Sequence, residues 1–199
     1  MSKKKQTKKK TTRKKSAGGS KVPVTYADRI SKIRKLFKGE KIDSLLITNP
    51  HDIRYLSEFS GEDSYALLTK RDFTIFSDGR FTEELDPTAK WAKVIIRSGS
   101  MGEVVCDLIK KKKLSSVGLQ AECLTLASKK VLSKGCGARS FRDTTGVMSQ
   151  ARIIKDASEI KIIQRAIKCQ QEALTATLAD LKTGMTESVI AARLEYEMQ

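Results

Sequence analysis

The stretch from Ile42 to Phe81 constrains the fold most, because it combines strand, helix and turn signals in forty residues. It opens with IDSLLIT, an apolar run of strand length that ends at Asn49-Pro50, a pair that stops strands and begins turns. The segments YALLT and FTIFS follow, and the short Lys70-Arg71-Asp72 connection between them predicts a β-hairpin. A hairpin beside a buried strand predicts the centre of a β-sheet.

Between the first strand and the hairpin, the sequence predicts a short helix followed by a loop. Ile53, Leu56 and Phe59 recur every three residues, a spacing typical of a helical segment. The segment SGEDS after Phe59 has the composition of a loop, and Asp78-Gly79-Arg80 after the hairpin predicts a second turn. These two loops are the part of the chain with a potential ligand-contacting edge.

Strands and helices continue to alternate on both sides of this stretch. Apolar spacing predicts an amphipathic helix over residues 26–37, whose outer face is expected to be a solvated basic surface formed by Arg29, Lys32, Arg34, Lys35 and Lys38. After Phe81 the sequence predicts a short helix, a strand at KVIIR, a helix over 101–113, a strand at SSVGLQ, a helix over 122–132 and a strand at ARSFRDTT. The pattern predicts an α/β fold with helices flanking a mixed β-sheet. In the helix over 122–132, the residues expected to point inward are Leu124, Ala127, Val131 and Leu132.

The character of the sequence changes at Gly146. A short helical turn is expected over 147–152, and Asp156-Ala-Ser-Glu159 has the form of a capping box that begins a long helix over 156–182. Gly184 is its natural end, and a further helix runs to Met198. The long helix carries an apolar stripe that must fold back on the preceding domain, self-associate or stay exposed. This stripe consists of Ile160, Ile163, Ile167, Leu174, Leu178 and Leu181.

The net charge of +16 is concentrated at the N-terminus, where residues 1–21 hold ten basic and no acidic side chains. Such a segment cannot offset its ordering entropy, so residues 1–22 are predicted to be a disordered tail. The tail is either a solvated extension or, through residues 3–21, a contact for nucleic acid or ribosomes. No stretch has the length of a membrane span or the form of a signal peptide, so a cytoplasmic protein without membrane contact is expected.

The cysteines and the single histidine indicate no metal site. Cys106, Cys123, Cys136 and Cys169 are scattered, without a Cys-x-x-Cys pair, and are expected to be reduced and mostly buried. His51 directly follows Asn-Pro at a helix start, which favours a structural role in the turn.

Three separated blocks resemble the creatinase, prolidase and aminopeptidase P family of pita-bread metallopeptidases. They are RISKIRKLFKGEKIDSLLITNPHDIRYLSEFSGEDSYALL, then FSDGRFTEE, and then ARIIKDASEIKIIQRA with GMTE. The resemblance covers about residues 26–199. It implies a creatinase-type N-terminal domain with a ribonuclease H-like sheet over residues 23–148, followed at 149–199 by the first two helices of an incomplete pita-bread catalytic domain.

The resemblance also implies a function that resides downstream of this sequence. Family members hydrolyse Xaa-Pro bonds with two divalent metal ions, held by two aspartates, a histidine and two glutamates of the pita-bread domain. No segment up to Gln199 matches those ligands, so no catalytic residue, metal ligand or cofactor is assigned to this chain. The polypeptide is therefore expected to be inactive by itself and to act with a catalytic domain in trans.

In the family, the N-terminal domain supports oligomers, and its loops flank an active site that often belongs to a neighbouring subunit. The matching loops imply a substrate-proximal site and a homo-oligomer. Arg80 offers a planar fork for a carboxylate or a backbone carbonyl; alternatively, an ion pair with Asp78 or Glu84 fixes the corner. Arg54 and Tyr55 present the same choice. The predicted site residues are Phe59, Gly61, Glu62, Asp63, Asp78 and Arg80.

Two other functional classes compete with this interpretation. One is a stand-alone interaction module, in which the α/β domain oligomerises and the lysine-rich tail contacts nucleic acid. The other is an unrelated α/β enzyme, but the sequence has no glycine-rich phosphate loop and no nucleophile elbow to support it.

Overall fold

The computed structural model describes residues 14–15, 21–136 and 141–199, and the chain divides into two compact units, Met1–Ala151 and Arg152–Gln199. The strands are β1 (Lys14–Lys15), β2 (Ser44–Ile47), β3 (Tyr65–Thr69), β4 (Phe73–Ser77), β5 (Lys93–Ile96), β6 (Val117–Gln120) and β7 (Phe141–Thr144). The helices are α1 (Val24–Leu36), α2 (Pro50–Ser57), α3 (Asp86–Ala89), α4 (Met101–Lys111), α5 (Leu126–Cys136), α6 (Val147–Ile153), α7 (Ala157–Ala179) and α8 (Glu187–Met198), with a 3-10 turn at Gly79–Phe81.

The sheet is mixed, as predicted, with the strand order β1-β5-β4-β3-β2-β6-β7. The predicted hairpin forms β3 and β4, which are antiparallel to each other, and β2 pairs antiparallel with β3. The β2–β6, β4–β5 and β6–β7 pairs are parallel. The end of the sheet at which β2, β4, β5, β6 and β7 finish is called the carboxyl edge below, and the opposite end the amino edge.

Both faces of the sheet are covered, which explains why its central strands are continuous apolar runs. Successive residues of β2 alternate between two core clusters: Leu45 and Ile47 face one side and Leu46 the other. Helices α1, α2 and α6 contribute to the first cluster, and α4 and α5 to the second. The predicted α/β fold with helices flanking a mixed sheet is confirmed.

The predicted disordered tail lies outside the described residues, except for Lys14–Lys15 and residues 21–22. Lys14 and Lys15 differ from the prediction, because their backbone pairs antiparallel with the outer strand β5. An edge strand presents unpaired N–H and C=O groups, which an extended segment can satisfy whatever its side chains are.

The predicted basic outer face of α1 is wrong for two of its arginines. Arg29 is buried, and its Nη1 donates to the Tyr55 carbonyl oxygen at 2.7 Å. Arg34 is half-buried, and its Nε donates to the Thr69 carbonyl oxygen at 2.8 Å. An arginine can lie along apolar surface while its head group binds carbonyl oxygens, which helical spacing does not reveal.

Helix α5 differs from its prediction in extent and orientation. It begins at Leu126 and not at Glu122, and it continues through Gly135 to Cys136. Leu132 is buried, but Ala127 and Val131 are exposed. The inward face of α5 therefore includes Leu132 but not Ala127 or Val131.

The prediction of reduced, mostly buried cysteines is wrong for the Cys106–Cys136 pair, which is oxidised, and for the burial of the two free cysteines. Cys106 of α4 and Cys136 of α5 are joined by a disulfide across a Cα–Cα distance of 5.1 Å, and Cys123 and Cys169 are exposed. The two bonded cysteines are 30 residues apart, so only the side-by-side packing of α4 and α5 brings them within reach.

The second unit is a pair of helices, α7 and α8. The predicted capping box is present: the Asp156 side chain accepts from the backbone N–H of Glu159 at 3.0 Å, and Glu159 accepts from the N–H of Asp156 at 2.9 Å. Gly184, with φ +92°, lies in the left-handed region between the helices. The side chains of the apolar stripe defined above are 44–58% exposed. No helix in the described part of the chain is long and apolar enough to cross a membrane.

Candidate functional site at the carboxyl edge

The two predicted loops lie side by side at the carboxyl edge of the sheet. The loop after α2 leads into β3, and the 3-10 turn at Gly79–Phe81 follows β4, the neighbour of β3. The buried hydroxyls of Ser64 and Ser77 are 2.8 Å apart and bridge the two loops at their bases. Adjacent antiparallel strands therefore bring Phe59, Gly61, Glu62 and Asp63 to the same edge as Asp78 and Arg80.

Arg80 is the centre of a charged cluster. Its Nε donates to Asp78 Oδ1 at 3.1 Å, and its Nη2 donates to Asp78 Oδ2 at 2.8 Å and to Asp63 Oδ2 at 3.1 Å. The predicted ion pair with Asp78 is thus confirmed. The alternative pair with Glu84 does not form, because Glu84 Oε1 accepts from the backbone N–H and the hydroxyl of Ser60, at 2.7 and 2.8 Å.

The cluster holds Arg80 in place while leaving part of it accessible. The side chain is 65% exposed, and the guanidinium carbon lies 5.3 Å from the centre of the Phe81 ring. Within the described residues, Arg80 Nη1 forms no hydrogen bond. A guanidinium that is oriented by two carboxylates and keeps a free N–H edge can donate to a carboxylate or a carbonyl oxygen of a bound molecule.

Electrostatics makes Asp78 an anchor and not a proton donor. The hydrogen bond from Arg80 holds the pKa of Asp78 below its ordinary value, and Arg97 Nη2, 3.4 Å from Asp78 Oδ2, acts in the same direction. Asp78 is therefore a carboxylate at neutral pH, and the same pairing raises the pKa of Arg80 above its ordinary value. The Asp78–Arg80 ion pair can orient a ligand by charge, but Asp78 does not supply a proton.

Two aromatic side chains, Phe59 and Phe81, pack against each other in the loops that carry the charged cluster. Phe59 is 2% exposed and meets Phe81 edge-to-face, with ring centres 5.6 Å apart and planes at 82°. Gly61 packs against both rings: a Cβ atom there would lie 2.3 Å from Phe59 Cζ and 2.9 Å from Phe81 Cδ1. Glycine is needed at position 61 because the two rings approach the backbone closely.

Replacing Gly61 with alanine is expected to destabilise the protein by roughly 1–3 kcal/mol, because the added methyl group overpacks the Phe59–Phe81 pair. Gly79 is the matched control, since a Cβ there would meet no atom within 4 Å. Gly79→Ala should change the free energy of unfolding by less than about 0.5 kcal/mol. Urea denaturation of both variants tests this, and equal midpoints would contradict the packing assigned to Gly61.

A second polar network at this edge was not predicted. Gln120, at the end of β6, accepts through Oε1 from the backbone N–H groups of Thr48 and Asn49, at 2.8 and 3.1 Å. Its Nε2 donates to Asp52 Oδ2 at 2.8 Å, and both side chains are buried. The only signal in the sequence is a polar residue that closes an otherwise apolar strand. This network fixes the turn from β2 into α2.

Two of the three remaining candidates, His51 and Tyr55, have structural roles. His51 is exposed, and its backbone N–H donates to Asn49 Oδ1 at 2.9 Å, which agrees with a turn residue at the start of α2. Arg54 is exposed, whereas Tyr55 is buried beneath Arg29, whose guanidinium carbon lies 4.4 Å from the ring centre. Tyr55 therefore belongs to the core and not to the loop cluster.

A catalytic metal centre does not fit the donor atoms available here. Across residues 21–136 and 141–199, no group of three or more His, Cys, Asp or Glu side chains is arranged to hold a metal ion. The carboxylates of Asp63 and Asp78 both face Arg80, which competes with any cation for the same oxygens.

Comparison with known proteins places this geometry in a family. The chain is 26% identical over 171 residues to an uncharacterized peptidase, YqhT, of Bacillus subtilis, covering 86% of this chain and 48% of that relative. It is also 26% identical to an Xaa-Pro dipeptidase of Pyrococcus horikoshii, with the same coverage of each chain. The solved structure of an Xaa-Pro dipeptidase from Bacillus anthracis superposes with a TM-score of 0.82 at 26% identity, covering 87% of this chain and 48% of that one.

These matches agree in extent as well as in fold. The chain spans about half the length of the curated relatives that it matches most fully. A family model described as the Creatinase/Prolidase N-terminal domain matches residues 29–154, which contain the whole carboxyl-edge cluster. The chain therefore belongs to the creatinase/prolidase N-terminal domain family and resembles the N-terminal part of Xaa-Pro dipeptidases.

Proposed function

We propose that this chain supplies the N-terminal, active-site-flanking part of an Xaa-Pro peptidase, and that hydrolysis requires a metal-binding catalytic part which residues 1–199 do not contain. The observation that carries the proposal is the Arg80 cluster at the carboxyl edge. It lies within the region that matches the family model, and it presents an oriented guanidinium to solvent. A dipeptide substrate carries a carboxylate, to which the Nη1 atom of this guanidinium can donate a charge-assisted hydrogen bond.

The role proposed for Arg80 is selection of substrates, not bond cleavage. Asp63 and Asp78 hold the guanidinium from one side, so that a ligand meets it in one orientation. A preoriented cation loses little conformational freedom on binding, which favours short peptides with a free carboxylate nearby. Phe59, Gly61, Asp63 and Asp78 act as positioning residues, and Glu62 is a neighbouring exposed carboxylate.

The exposed apolar stripe of α7 supports the need for a further partner. Six large apolar side chains, five on α7 and Leu181 just after it, are each 44–58% exposed and form a surface that proteins seldom leave open to water. We propose that the catalytic part covers this stripe, either in the same polypeptide or in trans, and that the assembled protein is a homo-oligomer.

The experiment compares this chain with a chimera. Alone, with manganese and Ala-Pro, the chain is expected to give no turnover above the metal-only blank, and turnover by the chain alone would contradict the requirement for a catalytic part.

In the chimera, this chain replaces the aligned part of the Bacillus anthracis Xaa-Pro dipeptidase. There, Arg80→Gln is expected to raise KM about tenfold with little change in kcat, because it removes uniform substrate binding.

Arg142→Gln is the matched control in the chimera. Arg142 is exposed, and it lies on β7 away from the two loops, where its Nε donates to the Ser116 hydroxyl. Its replacement should leave KM unchanged. An Arg80→Gln chimera with the KM of the control would overturn the role proposed for Arg80.

A further inference from the structure

The amino edge of the sheet, opposite the loop cluster, carries a dense group of basic side chains. Helices α1 and α4 both end there, on opposite faces of the sheet, and the β3–β4 hairpin turns between them. We call this region the basic corner and define it as residues 34–43, 69–72, 93 and 110–116. Its exposed basic side chains that form no ion pair with described residues are Lys35, Lys38, Lys41, Lys70, Arg71, Lys110, Lys111 and Lys113.

Specific contacts join the three parts of the corner. From α1, Arg34 donates to the carbonyl oxygens of Thr69 and Asp72, at 2.8 and 3.4 Å. From the other face, Lys112 forms an ion pair with the Asp72 carboxylate, and Lys93 of β5 lies 3.0 Å from its other oxygen. The hairpin is thus held between α1 and α4, and Lys112, which follows α4, contacts it directly.

A second junction ties the chain after α1 to the chain after α4. Asp43 Oδ2 accepts from the backbone N–H groups of Ser115 and Ser116, at 2.8 and 3.2 Å, and the Ser116 hydroxyl donates to the Lys41 carbonyl oxygen at 2.9 Å. Burial raises the pKa of Asp43, but these hydrogen bonds outweigh it and leave the pKa below its ordinary value. The corner is therefore built on a rigid frame.

The acidic groups do not neutralise this surface. Eleven basic and three acidic side chains in the corner leave a net charge of about +8, and two of the acids, Asp43 and Asp72, are engaged in the contacts just described. A field of one sign over neighbouring elements attracts a polyanion with regularly spaced charges. Phosphate groups of a nucleic acid supply that spacing.

The surroundings of the corner distinguish among polyanions. None of its described residues is a large exposed apolar side chain, whereas membrane-surface segments insert such residues and protein interfaces centre on them. The nearby Trp91 is stacked with both Tyr26 and Phe73, with ring centres 5.6 and 5.8 Å away, so its ring is already engaged within the domain. Without a stacking platform, binding of single strands is disfavoured.

We propose that the basic corner binds the phosphate backbone of a double-stranded nucleic acid, independently of its sequence. This site is separate from the proposed peptidase role, which belongs to the opposite edge of the sheet. The basic tail reaches the same sheet through Lys14–Lys15, whose backbone pairs with β5, the strand that begins at Lys93.

Two lysines of the basic corner can be replaced by glycine, which lowers the positive charge of the corner without straining the backbone. Lys41 and Lys113 have φ angles of +54° and +51°, close to the ends of α1 and α4. Glycine adopts this left-handed conformation without the steric cost that a lysine bears there. Lys41→Gly and Lys113→Gly therefore remove two positive charges at positions where glycine suits the backbone.

The test measures anisotropy of labelled 20-base-pair RNA and DNA duplexes over a potassium chloride series. The corner variant carries Lys41→Gly, Lys113→Gly, Lys110→Gln and Lys111→Gln. A second variant, the hairpin variant, carries Lys70→Gln and Arg71→Gln. The control variant changes four exposed lysines elsewhere to glutamine, at positions 130, 155, 161 and 182. A tail variant changes Lys3, Lys4, Lys5 and Lys8 to glutamine.

The corner variant is expected to bind at least about tenfold more weakly than the wild type at 100 mM salt. Its log–log salt slope should be smaller by about 0.9 for each phosphate group that the variant no longer neutralises. The control variant, with the same net charge, should stay within about twofold. Preference for the RNA or the DNA duplex identifies the natural form, and either result supports the proposal.

Three results would overturn the proposal. In one, the corner variant and the hairpin variant retain wild-type affinity and slope. In another, the tail variant alone abolishes binding while the corner variants do not weaken it. In the third, the wild-type chain binds vesicles containing phosphatidylserine but neither duplex. Circular dichroism melting of each variant confirms that weaker binding does not reflect unfolding.

Discussion

Phe59→Ala is expected to lower the free energy of unfolding by about 3–5 kcal/mol. Phe59 is 2% exposed and belongs to the larger core cluster, so its truncation removes buried apolar surface and leaves a cavity. It also removes the ring on which Phe81 and the Gly61 backbone pack, so the loop should loosen beyond the effect of reduced burial. Urea denaturation followed by the fluorescence of Trp91, the single tryptophan, measures the loss of stability.

Phe81→Ala serves as the control for this change. Phe81 is half-buried and packs at the periphery of the same cluster, so its truncation should cost clearly less. Equal losses of stability for the two variants, or a loss below about 1 kcal/mol for Phe59→Ala, would show that Phe59 does not anchor the loop.

Gln120→Leu is expected to cost about 3 kcal/mol or more, although leucine has a similar volume. The substitution removes the acceptor for two backbone N–H groups, of Thr48 and Asn49, and one donor to the buried Asp52 carboxylate. Each polar group that loses its partner in a buried setting costs about 1–3 kcal/mol. The cost is measured as the shift of the urea midpoint, and hydrogen exchange at Thr48 and Asn49 should speed up selectively.

Gln150→Leu is the matched control, because Gln150 is exposed on α6 and its side chain forms no hydrogen bond with described residues. That variant should lie within about 0.5 kcal/mol of the wild type. If Gln120→Leu were equally neutral, the network between β6 and the β2–α2 turn would not contribute to stability.

Local patterns predicted most of the secondary structure. The strands β2, β3 and β4, the tight hairpin and the capping box of α7 follow from periodicity and turn chemistry within a few residues of each feature. The boundaries of α5 were less accurate, since its apolar pattern is weak and its amphipathic face is set by the contact with α4.

For the site, the sequence predicted the parts that are close along the chain. Asp78 and Arg80 are two residues apart, and their ion pair follows from that spacing and the turn between them. Asp63 joins the same guanidinium from 17 residues away, and Gln120 reaches Thr48 from 72 residues away. These partners depend on strand pairing, which no single segment encodes.

By itself, the sequence determined the α/β class, the order of the elements and the family resemblance, because each arises from local spacing of apolar, turn-forming and capping residues. Only the tertiary structure decided which residues meet. It paired Cys106 with Cys136, buried Arg29, and placed the ends of α1 and α4 against one hairpin through Arg34 and Lys112. The physical reason is that burial, charge and hydrogen bonding act through space, and the sheet register sets those distances between segments far apart along the chain.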